Sequence, residues 1–399
     1  MFARVKINPT APANRIDQID ILRGVALFGI LMVNVFGYHA SFYHFGEFYQ
    51  ALENPFQKSV FTWMVNLGSD KFIFMFSTLF GFGLWMLEKK FAQQQANFKS
   101  FFIRRMLWLC VFGIVHIVFF WAGDILLIYG ILGLVLFSIR KLKTKTLLGL
   151  SVLFYFFTAF YLVIRIYVPG LPDPMSTLTN LTMDQIVEVY STGNFIEILN
   201  FRVNEYIVFR NINMLYYMPK VLALFILGYM AGKQGILRKV NENLIRSLLL
   251  TFVFMFMGFV LILRLESILH FFTKPDSNAV MPVYIGIYEL GNLFMGLGYI
   301  LIVLLVSKSG YGNKILRILK YAGRMPLTNY LVQSLIFTTI FYGYGFGLFG
   351  TVNPSQFLIW ALIVFVIQLI ISKWWLKRFR FGPLEWLWRR LSYANSFRK

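Results

Sequence analysis

The chain has 399 residues, of which 58% are hydrophobic and 14% are charged, and its mean hydropathy is +0.66. A soluble domain has roughly 45–50% apolar and 25% charged residues, so this composition excludes a soluble protein and predicts a polytopic membrane protein. The formal net charge of +21 does not indicate nucleic-acid binding, because the basic residues lie in short tracts between apolar segments. The single cysteine, Cys110, excludes an intrachain disulfide and a thiolate metal cluster.

Apolar segments of membrane-spanning length recur along the whole chain. A span needs roughly 20 predominantly apolar residues. Residues 1–14 lack the uninterrupted apolar core of a cleaved signal peptide, so we expect the first span to be retained. The sequence therefore predicts an all-α bundle of about ten spans, which forms a single integral-membrane domain over residues 1–399. The predicted spans are 21–38, 60–87, 102–122, 124–139, 146–168, 215–232, 245–263, 282–306, 326–343 and 355–372.

Lysine and arginine are concentrated in every second loop, for example in RKLKTK at 140–145. The positive-inside rule then predicts a bacterial inner-membrane protein with both termini in the cytoplasm. The longest interruption, 169–213, is an extracytoplasmic segment whose scattered apolar residues are compatible with an interfacial helix. The tail, 373–399, alternates aromatic and basic residues, which suits a helix on the anionic inner leaflet. The lipid bilayer is therefore an expected partner.

The first span carries polar residues on one face. Arg23 and Asn34 are eleven residues apart, which returns almost to the same face of a helix, roughly 16 Å further along its axis. Asp20 can pair with Arg23, and a loop with two histidines follows the span. Asn34 either bonds two helices together or lines a reaction centre with the loop histidine His44.

The third span repeats this geometry, with Arg105 followed eleven residues later by His116. A histidine within the bilayer can bridge helices or act as an acid and base. Asp124 begins the fourth span, where it caps that helix, orients a histidine or binds a substrate hydroxyl from the outer side. Arg23, Arg104, Arg105 and Arg324 are predicted to gather at the cytoplasmic rim, where guanidinium groups suit phosphate recognition.

The eighth and ninth spans contain further polar residues. Glu289 lies inside the eighth span with Asn292 one turn later, and an intramembrane carboxylate is a functional candidate by default. Asn329 and Gln333 share a face of the ninth span. These two amides either bond helices together or line a polar substrate path.

Two motifs carry no functional prediction. Gly345, Gly347 and Gly350 match G-x-G-x-x-G, but they follow a predicted transmembrane helix rather than a strand, which argues against a dinucleotide site. His39, His44 and Glu47 lack the further ligands that a metal site needs, so no metal site is predicted.

Five longer motifs point to a family. They are DILRGVALFGILMVN, KFIFMFSTLFGFG, RRMLWLCVFGIVHIVFFWAGDILLIYGILG, GRMPLTNYLVQSLIFTTIFYGYGFGLFG and FGPLEWLWRRLSY. Together, from about residue 15 to 393, they resemble the YeiB-like family of bacterial inner-membrane proteins. This family is similar to a wider group of membrane acyltransferases that includes the heparan-alpha-glucosaminide N-acetyltransferases.

The resemblance implies a reaction. Acyl-CoA would be taken from the cytoplasmic side, and its acyl group would be delivered to an extracytoplasmic or membrane-associated sugar-like acceptor. In the wider group, a loop histidine assisted by an asparagine of the first span carries out the transfer. The resemblance implies that His44 and Asn34 have these roles here. His116 and Asp124 belong to the YeiB-like motif itself and are a competing acid and base pair.

The sequence thus favours an acyl-CoA-dependent membrane acyltransferase, with the four arginines binding the donor. The alternative is a transporter of a small metabolite or lipid-linked precursor, with Glu289, His116 and Asn329 along its path. A third class is a non-catalytic envelope or scaffold protein. No metal and no nucleic acid are expected as partners, and a homodimer is one arrangement that the sequence allows.

Overall fold

The computed structural model describes residues 16–40, 45–95, 97–168, 170–171, 182–265, 267–268 and 280–393. These residues are helical with short connections, and they contain no strand, which confirms the all-α prediction. The helices of the first half are α1 (Asp17–His39), α2 (Phe45–Ala51), α3 (Pro55–Gly68), α4 (Lys71–Gln93), α5 (Phe98–Phe119), α6 (Leu126–Ile139), α7 (Thr144–Tyr155), α8 (Phe157–Tyr167), α9 (Met183–Thr192) and α10 (Phe195–Ile212). A π-helical turn, Asn213–Tyr217, precedes α11 (Met218–Lys233), α12 (Ile236–Glu242), α13 (Leu244–Leu263), α14 (Val280–Lys308), α15 (Gly310–Leu316), α16 (Leu319–Gly323), α17 (Pro326–Phe341), α18 (Pro354–Arg378) and α19 (Pro383–Ser392).

Each predicted span coincides with one helix or with two consecutive helices. Seven segments of the described chain are long and apolar enough to cross a membrane, and α7 with α8 makes an eighth if this pair, bent by 64°, is one span. The remaining two predicted spans correspond to α6 and α17, which have only 14 and 16 residues. The membrane helices are therefore confirmed, whereas the count of ten and the orientation of the termini stay predictions.

Helix α1 is the centre of the bundle. It packs against α3, α4, α14, α16, α17 and α18. In its most apolar stretch 72% of the residues are buried, whereas the corresponding figure for α13 is 17%. Because lipid is as apolar as leucine, an outer helix such as α13 can expose its apolar side chains to the bilayer. Helix α1 is therefore enclosed by other helices over most of its length.

The crossing of α1 and α16 depends on two glycines. A Cβ atom on Gly24 would lie 2.1 Å from the carbonyl oxygen of Leu319, and one on Gly323 would lie 1.8 Å from that of Asp20. Only glycine permits such a close approach of two helix backbones. Arg23 and Arg324 are the sequence neighbours of these glycines, so the crossing brings both arginines to the same end of the bundle.

Helix α17 begins under a carboxylate from α19. The backbone N–H groups of Leu327 and Thr328 donate to Oε1 of Glu385 at 2.7 and 3.0 Å, and the Thr328 hydroxyl donates to Oε2 at 2.6 Å. These bonds satisfy donors that a helix N-terminus leaves without intrahelical partners. Burial raises the pKa of Glu385, although the hydrogen bonds oppose the shift. Helix α19 is thus fixed against α5 and α17.

Candidate functional site

His116 and Asp124 form a buried pair near the end of α5. Nδ1 of His116 lies 2.9 Å from Oδ1 of Asp124, and both side chains are fully buried. The other carboxylate oxygen, Oδ2, accepts a hydrogen bond of 2.7 Å from the backbone N–H of Leu127 in the first turn of α6. Asp124 therefore caps α6 and orients the histidine at the same time, which are two of the roles that the sequence left as alternatives.

A serine completes this constellation. Oγ of Ser334 on α17 lies 2.8 Å from Nε2 of His116 and 2.7 Å from the hydroxyl oxygen of Tyr38 on α1. The Asn34 amide lies close to the same tyrosine hydroxyl. We call Tyr38, Ser334, His116 and Asp124 the relay. The structure thus connects Asn34 with the pair of His116 and Asp124, which the sequence offered as competing choices.

One tautomer of His116 satisfies every bond in the relay. Nδ1–H donates to Asp124, the Ser334 hydroxyl donates to Nε2, and the Tyr38 hydroxyl donates to Oγ of Ser334. A carboxylate, a histidine and a hydroxyl in this order are the arrangement that activates a serine as a nucleophile. The relay therefore has the groups and distances needed for acyl transfer.

A cavity of about 820 Å³ reaches the neighbourhood of the relay. Its volume is within the range of roughly 300–1,000 Å³ that is usual for ligand pockets. Ile16 and Arg389 line one end of the cavity. Ile125 and Tyr330 line its other end. The Tyr330 ring lies 5.0 Å from the His116 ring, centroid to centroid. Tyr330 is therefore a wall between the cavity and the relay.

Basic side chains dominate the charged lining of this cavity. The six basic residues, which we call the basic rim, are Arg23, Lys89, Lys90, Arg105, Arg324 and Arg389. The lining also includes two carboxyl groups, Asp20 and Glu385. Burial lowers the pKa of Arg389, and the neighbouring charges of Arg380 and Arg23 act in the same direction. Like charges held together in a partly buried space create a positive potential that attracts anions.

Three of the four predicted arginines lie in the basic rim. Arg23 pairs with Asp20 at 3.1 Å, and the Arg105 guanidinium lies 3.4 Å from the centroid of the Trp388 ring. Arg104 is not among the residues that line the cavity, because it lies on another side of α5. Lys89, Lys90 and Arg389 are not among the predicted site residues, although Arg389 belongs to the motif FGPLEWLWRRLSY.

The two amides of the ninth predicted span pair with α18. Asn329 donates to Oγ of Ser372 at 3.1 Å, and Gln333 donates to Oε1 of Gln368 at 2.8 Å. Both side chains are buried, and their contacts agree with a role in bonding helices together. A substrate path through them stays a prediction.

Glu289 belongs to a separate group of charges in the half of the bundle opposite the basic rim. The Lys220 ammonium lies 3.1 Å from Oδ1 of Asp70 and 2.7 Å from Oε1 of Glu289. Lys71 follows Asp70 in the chain and is fully buried. We call Asp70, Lys71, Lys220 and Glu289 the charge cluster. Asn292 lies one turn after Glu289 and is 1% exposed.

The structure describes His39 but not the loop histidine His44. His44 lies outside the described residues, so its predicted role stays a prediction. His39 is fully buried, and its Nε2 accepts a hydrogen bond of 3.0 Å from the backbone N–H of Val352. This bond joins the end of α1 to the loop before α18.

Comparisons with known proteins find relatives that are similar over nearly the whole chain. Residues 231–395 match the family described as "Protein of unknown function (DUF418)". The chain is 29% identical to "Uncharacterized protein YxaH" of Bacillus subtilis (strain 168) over 413 residues, which cover 98% of this chain and 97% of that protein. It is 28% identical to "Uncharacterized protein YeiB" of Escherichia coli (strain K12), with 94% of this chain and 95% of that protein covered.

Proposed function

We propose that this chain, which is similar to the YeiB protein of Escherichia coli, is an integral-membrane acyltransferase that uses acyl-CoA as the donor. The acceptor is a hydroxyl- or amine-bearing sugar-like molecule. One observation carries the proposal: a cavity that begins at the basic rim ends at Tyr330, whose ring contacts His116 of the relay. An anionic head and a reactive tail could therefore be held at the two ends of one cavity.

The cavity suits the chemistry of acyl-CoA. Arginine guanidinium groups bind phosphate oxygens through paired, charge-assisted hydrogen bonds, so the basic rim would hold the nucleotide end. Apolar side chains such as Leu27, Ile30 and Leu109 line the space beyond the rim, where a pantetheine arm would extend. If both termini are cytoplasmic, as the loop charges predict, the rim faces the compartment that contains CoA thioesters.

In the first step, Ser334 acts as the nucleophile. Nε2 of His116 takes the proton of the Ser334 hydroxyl while Oγ forms a bond to the thioester carbonyl carbon, and the carbon–sulfur bond breaks. His116 returns the proton to the departing thiolate. The hydroxyl of Tyr38, 2.7 Å from Oγ, is the donor nearest to the oxyanion that develops. The product is a serine ester and free CoA.

In the second step, His116 activates the acceptor. Nε2 takes a proton from the acceptor hydroxyl or amine, whose oxygen or nitrogen bonds to the ester carbonyl carbon. The bond between that carbon and Oγ of Ser334 breaks, and the serine recovers the proton from His116. Asp124 holds the imidazole in one orientation during both steps through the 2.9 Å bond to Nδ1.

Entry of the donor requires a movement of Tyr330. Its ring separates the cavity from His116, and its hydroxyl donates to the backbone carbonyl of Gly123 at 3.3 Å. Rotation of this side chain would join the cavity to the relay. When the ring returns after acylation, it excludes water from His116 and Ser334 and so protects the serine ester from hydrolysis.

The direct test is to trap the serine ester. The purified full chain is incubated with acetyl-CoA, digested and mapped by mass spectrometry, and we expect acetyl on the peptide that contains Ser334. Variants Ser334→Ala and His116→Ala should carry no acetyl there. Ser151→Ala is the matched control, because Ser151 is a buried serine of α7 whose hydroxyl donates to the Ala223 carbonyl. Equal labelling of wild type and Ser334→Ala would refute the proposed nucleophile.

A transporter is the second candidate, and the charge cluster favours it. Lys220 bridges two carboxylates from α4 and α14, and buried ion pairs within a bundle often belong to ion or proton pathways. This function predicts solute movement in proteoliposomes that depends on a proton gradient and is abolished by Glu289→Gln. Solute movement that is unchanged in this variant would remove the charge cluster from any such pathway.

A further inference from the structure

The charge cluster lies in the half of the bundle opposite the basic rim. It is built from residues near the start of α4 and α11 and in the first half of α14. Asp70 and Glu289 supply two carboxyl groups, and Lys71 and Lys220 supply two amino groups, so the cluster is neutral when all four are ionised. Asp70 itself adopts a positive φ of 66°, a conformation that costs energy in residues other than glycine and often marks a functional site.

Several polar atoms around this cluster have no hydrogen-bond partner within the described part of the chain. They are Nζ of Lys71, Oε2 of Glu289, Nδ2 and Oδ1 of Asn292, and the hydroxyl oxygen of Tyr217. Asn292 lies against Glu289 and Tyr288, but no hydrogen bond of normal geometry forms. Lys71 and Asn292 are 0% and 1% exposed. Buried polar groups are nearly always paired, so these atoms call for a polar ligand or ordered water.

The unpartnered atoms define the chemistry of such a ligand. Lys71 and one end of the Asn292 amide are donors, whereas Glu289 and the other end of that amide are acceptors. A hydroxyl group both donates and accepts, so a ligand with several hydroxyl groups can satisfy this mixed set. A net charge on the ligand would be uncompensated because the cluster is neutral. The Tyr288 ring, 5.6 Å from Nζ of Lys71, adds an aromatic face.

The position of Tyr217 connects this cluster with the relay. Its hydroxyl is close enough to interact electrostatically with Asp70 of the charge cluster and with Asp124 of the relay. Tyr330 interacts with the same hydroxyl and with Asp124. Tyr217 ends the π-helical turn before α11, and such turns are frequent at functional sites. Tyr217 is therefore near enough to interact with both the charge cluster and the relay.

We infer that Lys71, Glu289 and Asn292 bind an uncharged, polyhydroxylated ligand of the sugar class. Tyr217 interacts with both this site and the relay, and the donor cavity reaches the relay at Tyr330. We identify this ligand with the acceptor, and this identification rests on the proposed acyl transfer. Binding of the sugar itself does not require any transfer and can be measured alone.

The test measures thermal stability of the full chain in lipid nanodiscs against increasing concentrations of three probes, glucose, N-acetylglucosamine and glycerol. We expect one of them to stabilise the wild type at millimolar concentration. Asn292→Ala should raise the half-saturating concentration at least tenfold, and Lys71→Met should do the same if it folds. Ser151→Ala should leave it unchanged, because the Ser151 hydroxyl donates to the Ala223 carbonyl and takes no part in this site.

Charged analogues complete the experiment. Glucose 6-phosphate and glucosamine should stabilise the protein at least tenfold less effectively than their neutral counterparts. The inference is overturned if no neutral probe stabilises the wild type, if Asn292→Ala responds like the wild type, or if the charged analogues bind better. If a neutral sugar binds as expected and CoA does not, the site is supported and the acyltransferase proposal fails.

Discussion

Oγ of Ser334 lies 2.8 Å from Nε2 of His116, although the two residues are 218 positions apart in the chain. The contact joins α17 to α5, and Tyr38 extends it to α1 at 2.7 Å. Three helices therefore meet at one hydroxyl group in the centre of an apolar bundle. Such a buried polar network is costly unless every member is paired, and the members of the relay are paired with one another.

The relay predicts that the tautomer of His116 controls activity. Asp124→Asn would present an amide N–H to Nδ1 and favour the tautomer with the proton on Nε2, which cannot accept the Ser334 proton. General acid–base catalysis contributes typically about 10²- to 10⁴-fold, so we expect CoA release from acetyl-CoA to fall by at least about 100-fold. The assay is thiol release by the folded variant, with Ser151→Ala as the control. Activity within threefold of wild type, roughly the limit of assay-to-assay comparison, would exclude the relay from the chemistry.

The position of Tyr330 predicts that substitutions of this residue separate acyl transfer from hydrolysis. Tyr330→Phe keeps the ring and loses the hydroxyl that donates to the Gly123 carbonyl, so CoA release should stay close to wild type. Tyr330→Ala removes the ring between the cavity and His116, so water should reach the serine ester and CoA should be released continuously without an acceptor, rather than once per protein molecule. The measurement compares thiol release in the absence of acceptor for both variants. Identical rates in both would show that the ring is not a barrier.

Glu385 predicts a pH-dependent contribution to stability. Its pKa is raised in the folded protein, so the folded state holds the proton more tightly than the unfolded chain does. The stability that this proton supplies is complete below the ordinary glutamate pKa and is lost as the pH rises through the raised pKa. Glu385→Gln cannot titrate, so its melting temperature relative to wild type should rise over this window. A constant difference between the two proteins would contradict the shift.

Removal of the Glu385 side chain should lower the free energy of unfolding. Glu385→Ala leaves the N–H groups of Leu327 and Thr328 without their acceptor. Loss of a helix N-terminal cap costs about 0.5–2 kcal/mol, so the free energy of unfolding should fall by about that amount. Chemical denaturation in detergent measures the change, with Glu385→Gln as the partner variant that keeps one acceptor oxygen. Equal stability of Glu385→Ala and wild type would show that the cap does not support α17.

The two histidines predicted as bases can be distinguished. If the relay supplies the base, His116→Ala should abolish CoA release, and His44→Ala should leave it within a few-fold of wild type. The resemblance to membrane acyltransferases makes the opposite prediction, because it assigns the base to the loop histidine. Thiol release by the two single variants and the double variant decides between them. Full activity in all three would refute both assignments.

Much of this arrangement followed from local sequence. Composition and apolar length predicted the membrane helices, and helical periodicity selected Asn34 and His116 as polar residues within spans. Asp124 was identified because a carboxylate before an apolar run is a helix cap, and the structure shows this bond at 2.7 Å. These signals are local because each depends on residues within about three turns.

The remaining residues depend on packing across the bundle. Serine and tyrosine are common in apolar helices. Nothing near Ser334 or Tyr38 in the chain shows that their hydroxyl oxygens lie 2.7 Å apart. Arg104 and Arg105 are neighbours in the chain, but only Arg105 lines the cavity, and helix rotation decides this. Lys220 was overlooked although a lysine inside a predicted span is itself a functional signal. Its two carboxylate partners come from distant helices.

The most direct measurement is the thermal stability of the purified protein against increasing CoA and acetyl-CoA, with adenosine as the control ligand. A ligand that binds only the folded form stabilises it by about 2.7 kcal/mol at 100 times its dissociation constant, which is readily measured. We expect CoA species to stabilise the wild type and Arg104→Gln equally, because Arg104 does not line the cavity. Arg105→Gln and Arg324→Gln should bind at least about tenfold more weakly, since a hydrogen bond to a charged group is worth about 1.5–3 kcal/mol. No stabilisation of the wild type at millimolar CoA, or equal binding by all three variants, would contradict the assignment of this cavity to the acyl donor.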